Sequence, residues 1–388
     1  MTAFPRKAIA QLILSEKPSI KAATEEKVWG LNLDQIESGT GKVLKKNLVA
    51  ISELGPSTFS FIAGTVLYSK LRPYLNKVLV ADDDGYATTE LVPLRCDPTL
   101  VLPTYLAYYL RSPEFLSFAN TVVAGAKMPR MVMSEFWRYD IPLPPLSEQH
   151  RIAAILDKAD ELRSKRREAI AKLDQLLQSV FLEMFGDPVT NPKKWPVVSI
   201  QEVCESIVDC VNRTAPTVDY VTDYKMIRTT NVRNFKVSLD SVRYVEKAVF
   251  DEWNRRLLPQ KGDVILTREA PAGEAGVLDS DDQVFLGQRL MLYRVSQQRA
   301  TPEYLLYSFM GEGMQQQFKK QSSGSTVKHL SVPDCRSWDL MLPPIELQKR
   351  FTEIASMNWS LRQQALAHSN RLEDLFFSIQ KSAFSAGP

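Results

Sequence analysis

Residue n and residue n+199 match without a gap from Thr88 through Arg151, so the chain repeats itself at long range. Those 64 pairs contain 13 identities, among them Leu91 with Leu290, Arg95 with Arg294, Pro103 with Pro302, Tyr105-Leu106 with Tyr304-Leu305, Tyr108 with Tyr307 and Gly125 with Gly324. The closing block is the strongest: Leu143-Pro144-Pro145 lies on Leu342-Pro343-Pro344, Gln149 on Gln348 and Arg151 on Arg350. Upstream the offset falls to 198, placing Gly64-x-Val66 on Gly262-x-Val264 and Lys70 on Arg268, and then to 191, placing Phe4-Pro5 and Ile9 on Trp195-Pro196 and Ile200. Two copies of one architecture are expected, and the low identity leaves them free to hold different ligands.

Each copy reads alike. Strand-like segments (Thr65 to Ser69, Lys77 to Val80; Asp263 to Thr267, Leu290 to Val295) precede a helical run, Thr104 to Asn120 or Pro302 to Lys320, with a Pro suited to the helix start. A Gly-containing loop follows, Ala124 to Lys127 or Ser322 to Thr326, and then a Pro-Pro stop. From Ser147 to Phe185 no Pro or Gly interrupts the chain, and Gly186 and Pro188 supply a stop, which predicts one long helix. Alternating steps of three and four give an apolar seam, Ile152, Ile155, Ala159, Leu162, Arg166, Ala169, Leu173, Leu176 and Val180. The second copy repeats it as Leu347, Phe351, Ile354, Asn358, Leu361, Ala365, His368, Leu372, Leu375 and Ile379. Such a stripe needs a partner, and the other copy is the obvious one; connection length allows an antiparallel pairing without forcing it. Arg166, Asn358 and His368 read as register control or snorkelling side chains.

The 388 residues suggest two to three domains, and a 44% hydrophobic composition suits globular cores. Lys and Arg total 48 against 45 Asp and Glu, so any basic surface must be local. Cys96, Cys204, Cys210 and Cys335 contain no C-x-x-C pair, and no leader-like or membrane-spanning run is read, so a reduced, cytoplasmic chain is expected.

Catalytic constellations are not found. His150, His329 and His368 lack metal-ligand spacing. Gly39-Thr40-Gly41-Lys42 fails as a phosphate loop, since position 36 is Ile and position 43 is Val, and reads as a polar turn. Glu25-Glu26-Lys27 has no preceding Asp to complete a nuclease cluster, and neither Asn191-Pro192 nor Gly186-Asp187-Pro188 fits a DNA methyltransferase motif.

Positive charge is local. Carboxylates are absent from Phe115 through Ser134 and from Gly313 through Pro333, windows that coincide under the 199 offset and hold Lys127, Arg130, Lys319, Lys320, Lys328 and His329. Cations among amides and hydroxyls suit phosphate and base-edge contact, though a solvated basic face reads the same way. Further candidates are Lys70, Arg72 and Lys77 in copy one, and Arg228, Arg233 and Arg268 in copy two.

Three stretches, Ile141-Pro-Leu-Pro-Pro-Leu-Ser-Glu-Gln-His-Arg-Ile152, Gly-Asp-Val-Ile-Leu from 262 to 266, and Gly324-Ser-Thr-Val327 before His329-Leu330, carry a resemblance over nearly the whole chain. The chain resembles the specificity subunit of type I restriction-modification systems. It departs from that pattern at Glu346-Leu-Gln-Lys-Arg-Phe351, where Glu-Gln-x-x-Ile is usual. The resemblance implies an α+β fold: two mixed target recognition domains (1–146 and 187–345) separated by two long helices (147–186 and 346–388) in an antiparallel coiled coil. It further implies that each domain reads one half of a bipartite asymmetric site in double-stranded DNA. The helices would dock two methyltransferase subunits, which use S-adenosylmethionine, and restriction-translocase subunits would join for cleavage. Such a chain binds no cofactor and is no enzyme by itself. A two-headed coiled-coil adaptor that does not touch DNA is the competing class; a fused single-chain restriction enzyme lacks the motifs.

Overall fold

The computed structural model describes residues 4–15, 27–269, 271–321 and 329–385. The chain divides into two compact units, one running to Glu168 and resuming at Leu366, the other running from Ala169 to Ala365.

In unit 1 a four-stranded sheet has the order Leu48–Ala50, Lys27–Leu31, Gly85–Thr88, Thr58–Phe61, with the central pair parallel. A second sheet places Val66–Ser69 between Val78–Val80 and Leu91–Leu94. Helices α1 (Pro103–Leu110), α2 (Pro113–Thr121) and α3 (Met133–Arg138) follow, and then α4 (Leu146–Phe185), which continues into unit 2. The single run expected from Thr104 to Asn120 is thus two helices. Pro113 disfavours helical backbone at the residue before it, and Ser112 caps the new start by accepting from the Phe115 amide.

Unit 2 has a six-stranded sheet ordered Cys204–Asp209, Leu290–Val295, Val264–Thr267, Ala275–Val277, Phe235–Val237, Val232–Arg233, and a three-stranded sheet centred on Lys225–Ile227. Its helices are α5 (Lys247–Trp253), α6 (Pro302–Met310), α7 (Glu312–Gln321), α8 (Val332–Ser337) and α9 (Ile345–Ser385), the last ending in unit 1. Here Gly311, with extended backbone, breaks the run expected from Pro302 to Lys320.

The duplication is visible bond by bond. Arg6–Ala8 pairs with Asp140–Pro142 in unit 1 as Val197–Ser199 pairs with Asp339–Met341 in unit 2. The Tyr105 hydroxyl donates to the Pro142 carbonyl at 2.8 Å, and that of Tyr304 to the Met341 carbonyl at 2.6 Å. Each phenol is buried, so an unmade bond there would cost about 1–3 kcal/mol.

The long helices pair antiparallel within each unit. In unit 1, Ile152 and Leu156 of α4 share a core with Phe376 and Phe384 of α9. Arg163 bonds Asp160 at 2.9 Å and Glu373, with its guanidinium 4.1 Å from the Phe376 ring centroid. In unit 2, Asn358 donates to the Leu173 carbonyl at 3.0 Å, Arg362 bonds Asp174 at 2.7 Å, and Leu177, Phe181 and Phe185 pack on Phe351 and Ala355.

The buried seam therefore differs from the one expected. Ile152 and Phe351 are buried in it, and Leu173 and Leu372 are half-buried, but Ile155, Leu162, Leu176, Ile354, Leu361 and Leu375 are exposed. Their places are taken one residue later by Leu156, Arg163, Leu177, Ala355 and Phe376, while Arg362, next to Leu361, is only half-buried. The expectation followed leucines at seven-residue spacing. The helices instead also bury large aromatics and polar groups against the sheet units, and this turns a second apolar stripe outward.

Candidate nucleic-acid interface

In unit 1 the strand Val66–Ser69 runs on into Lys70–Arg72, alongside which the Arg130 segment is stitched. Met131 N–H bonds the Lys70 carbonyl at 2.8 Å, and Arg72 N–H the Pro129 carbonyl at 2.7 Å. Val123–Ala124 pairs antiparallel with Arg130–Met131, forming a hairpin whose tip turns at Gly125, where φ is +93°. This edge gathers Lys70, Arg72, Lys127 and Arg130, with Lys70 half-buried and the others exposed. Arg72 has φ +50°, a left-handed conformation that a non-Gly residue holds at some cost. Lys77 faces elsewhere and donates to the Leu33 carbonyl at 2.6 Å.

Arg130 does not stand alone. Its Nε lies 3.1 Å from Glu90 Oε2 and its terminal nitrogen 2.9 Å from Oε1, a fork-on-carboxylate pair. The hydrogen bond from Arg130 holds the Glu90 carboxyl below its usual range.

Unit 2 builds the same edge with the charges redistributed. Arg268 N–H bonds the Arg289 carbonyl at 2.8 Å and Leu330 N–H the Arg268 carbonyl at 3.1 Å, as Lys70 bonds Glu90 and Met131 in unit 1. Position 289 is thus the counterpart of Glu90 and His329 the counterpart of Arg130, so the carboxylate has moved. It is now Glu269, which takes Arg289 at 3.0 Å and His329 Nδ1. Arg268 is buried, with its Nε unpartnered. Arg233 is half-buried and bonds the Thr229 and Val232 carbonyls at 2.8 and 2.7 Å, while Arg228 reaches the Ser241 carbonyl at 3.3 Å. Lys320 is exposed near the end of α7; Lys328 lies outside the described residues.

The carboxylates Glu90 and Glu269 went unread in the sequence because each lies outside the acid-free windows and reaches the cations across strands. One signal was available: the 199 offset places Glu90 on Arg289, a charge reversal inside the matched block.

A family model described as the type I restriction modification DNA specificity domain matches residues 54–172 and 192–356. The chain is 24% identical over 300 residues to the type I restriction enzyme MjaVIII specificity subunit of Methanocaldococcus jannaschii, covering 69% of this chain and 66% of that one. It is 24% identical over 309 residues to the EcoKI specificity subunit of Escherichia coli K12 (74% and 65%), and 26% identical over 161 residues to the EcoDI subunit (40% and 36%). The chain thus spans between 36% and 66% of the length of these relatives. A chain from a study of the assembly and conformational transition of a type I restriction-modification system superposes with a TM-score of 0.58 at 19% identity, over 99% of this chain and 98% of that one. The crystal structure of a type I S subunit from M. genitalium does so with 0.58 at 13% identity, over 99% and 97%. These likenesses show a shared fold.

Proposed function

Because the chain belongs to the type I restriction-modification DNA specificity domain family, we propose that it is the non-catalytic, sequence-reading subunit of such a system. Each unit reads one half of a bipartite asymmetric site in double-stranded DNA. The observation that carries this reading is the repeated edge: one backbone framework presents Glu90 with Arg130 in unit 1, but Glu269 with Arg289 and His329 in unit 2. A constant frame with exchanged hydrogen-bonding groups supports two readers of different sequence, since bases are distinguished by donor and acceptor pattern.

The outward apolar stripes supply the partner surface. Unit 1 exposes Ile155, Leu162 and Leu375, and unit 2 exposes Ile354, Leu361 and Leu176, which are the same positions under the 199 offset. Two equivalent faces fit two copies of one partner, the methyltransferase subunit, whose S-adenosylmethionine this chain does not itself bind. Restriction-translocase subunits join that complex, which acts in the cytoplasm.

The test is fluorescence anisotropy of the chain with its methyltransferase subunits on duplex DNA, with a panel of single-base changes and a salt titration. A DNA reader loses affinity steeply as salt rises and discriminates at two separated blocks of bases. Salt-insensitive or undetectable binding would favour a protein adaptor instead.

A further inference from the structure

The turn Gly39-Thr40-Gly41, which failed as a phosphate loop in the sequence, closes a cavity of about 170 Å³ within unit 1. Gly41 has φ +71°, and a Cβ there would lie 1.9 Å from the Val78 carbonyl oxygen and 2.9 Å from the Arg111 guanidinium, so only glycine lets the loop and that arginine approach. We infer that this cavity is a binding site for a small tetrahedral oxyanion of the inorganic phosphate class, held by Arg111, Arg163 and Arg167.

Three observations carry the inference. First, Arg111 Nε, Arg163 Nε and Arg167 Nη2 are buried donors with no hydrogen-bond partner, although buried N–H groups are nearly always paired. Second, among the described residues Arg111 is held without a carboxylate hydrogen-bonded to it. Arg111 is held by the Thr40 carbonyl and by the ring of Tyr108, 4.6 Å from its centroid, neither of which carries a formal charge. Asp160 and Glu373 also line the cavity, but both are bound by Arg163, and nearby Asp157 accepts from the Tyr108 hydroxyl at 2.7 Å. Arg111 therefore feels the charges of Asp160 and Asp157 but has no ion pair of its own among the described residues, and burial works against its charge. A bound anion would offset that burial and give the orphan donors an acceptor. Third, the repeat preserves only part of the cluster: the pair of Arg163 with Glu373 recurs as Arg362 with Asp174, whereas Arg111, Asp160 and Arg167 correspond to Met310, Trp359 and Leu366. The duplicated framework therefore folds without Arg111, Asp160 and Arg167, which are an addition to one copy. The cavity has room for several waters at about 30 Å³ each, and so for a tetrahedral oxyanion.

The test titrates the full chain with millimolar inorganic phosphate against chloride at constant ionic strength, following 31P line width and melting temperature. We expect saturable binding of one phosphate per chain with a rise in Tm, weakened about tenfold or more in Arg111→Met and Arg167→Gln. Arg167 is half-buried on α4, so its variant keeps the test open should Arg111→Met fail to fold. No saturable binding by the wild-type chain, or unchanged binding by folded Arg167→Gln, overturns the site. A short duplex is then added: phosphate retained alongside DNA supports a free anion, whereas displacement assigns the cavity to a DNA backbone phosphate and overturns the small-anion reading.

Discussion

Gln149 and Gln348 make the same three hydrogen bonds in the two units. Gln149 accepts from the Leu102 amide at 2.9 Å and donates to the Leu100 and Pro144 carbonyls, both at 2.9 Å. Gln348 accepts from the Thr301 amide at 3.1 Å and donates to the Arg299 and Pro343 carbonyls at 3.1 and 2.9 Å. Both side chains are fully buried. Each ties the residues before a short helix to the Leu-Pro-Pro corner that launches a long one, which accounts for a glutamine at both positions of a repeat so low in identity.

Replacing either glutamine by leucine preserves much of its volume but strands one amide and two carbonyls. We expect Gln149→Leu and Gln348→Leu each to lower the unfolding free energy by roughly 2–4 kcal/mol. Urea denaturation measures the loss, and amide exchange at Leu102 or Thr301 should accelerate in the matching variant alone. A change under about 0.5 kcal/mol, the usual scale of a surface substitution, would sink this role.

The edge residues give a prediction with two signs. Arg130→Ala removes a forked donor and should relax discrimination by about 1–3 kcal/mol at one base position of unit 1's half-site. Glu90→Gln removes the competing carboxylate from the same edge and should strengthen binding to all sequences. His329→Ala should act in the other half-site only. Binding to a panel of single-base variants decides: an Arg130→Ala effect falling in the half-site assigned to unit 2 would contradict one unit, one half-site.

The framework was legible because its determinants are local. The Leu-Pro-Pro corner, Pro103 and Pro302 at helix starts, and the uninterrupted run to Phe185 each act through backbone chemistry that sequence spacing reports. The helix seam was not legible, since leucine spacing alone cannot tell which of two adjacent stripes meets the sheet units. Leu162 and Arg163 are neighbours, and the charged residue is the buried one, its two terminal nitrogens bonded to Asp160 and Glu373 and its guanidinium set over the Phe376 ring. The charged edge was half legible: Arg130 stood out in an acid-free window, whereas Glu90 reaches it across 40 residues of chain.

Alkaline stability follows from buried acids. Burial pushes the Cys96, Cys204 and Cys335 thiols up to about 12 and raises the phenols of Tyr68, Tyr105 and Tyr304 above their usual range. Unfolded thiols and phenols titrate near about 8.5 and 10. Above about pH 8.5 the unfolded chain therefore releases protons that the folded chain keeps, so stability is full below that pH and falls as pH rises toward 12. The urea midpoint should decline steadily from pH 9 to pH 11, with the part of the tyrosinate absorbance that comes from the buried phenols appearing as helical circular dichroism is lost. A midpoint independent of pH across that window would count against it.

The outward stripes separate partner binding from folding. Leu162 and Leu361 are 45% and 54% exposed, so Leu162→Asp and Leu361→Asp should leave the unfolding free energy of the chain within about 0.5 kcal/mol of wild type. Leu177 is buried among Phe181 and Phe351, and Leu177→Asp buries an unpaired carboxylate there, with an expected loss of about 3 kcal/mol or more. In a complex the order reverses for the first two. A charge set into an apolar docking face should abolish binding of one methyltransferase subunit, while the equivalent face in the other unit keeps its own. Sizing with light scattering on mixtures with excess methyltransferase subunit then reports one bound copy for each single variant and none for Leu162→Asp with Leu361→Asp. Two copies bound to either single variant would place the docking faces elsewhere on the chain.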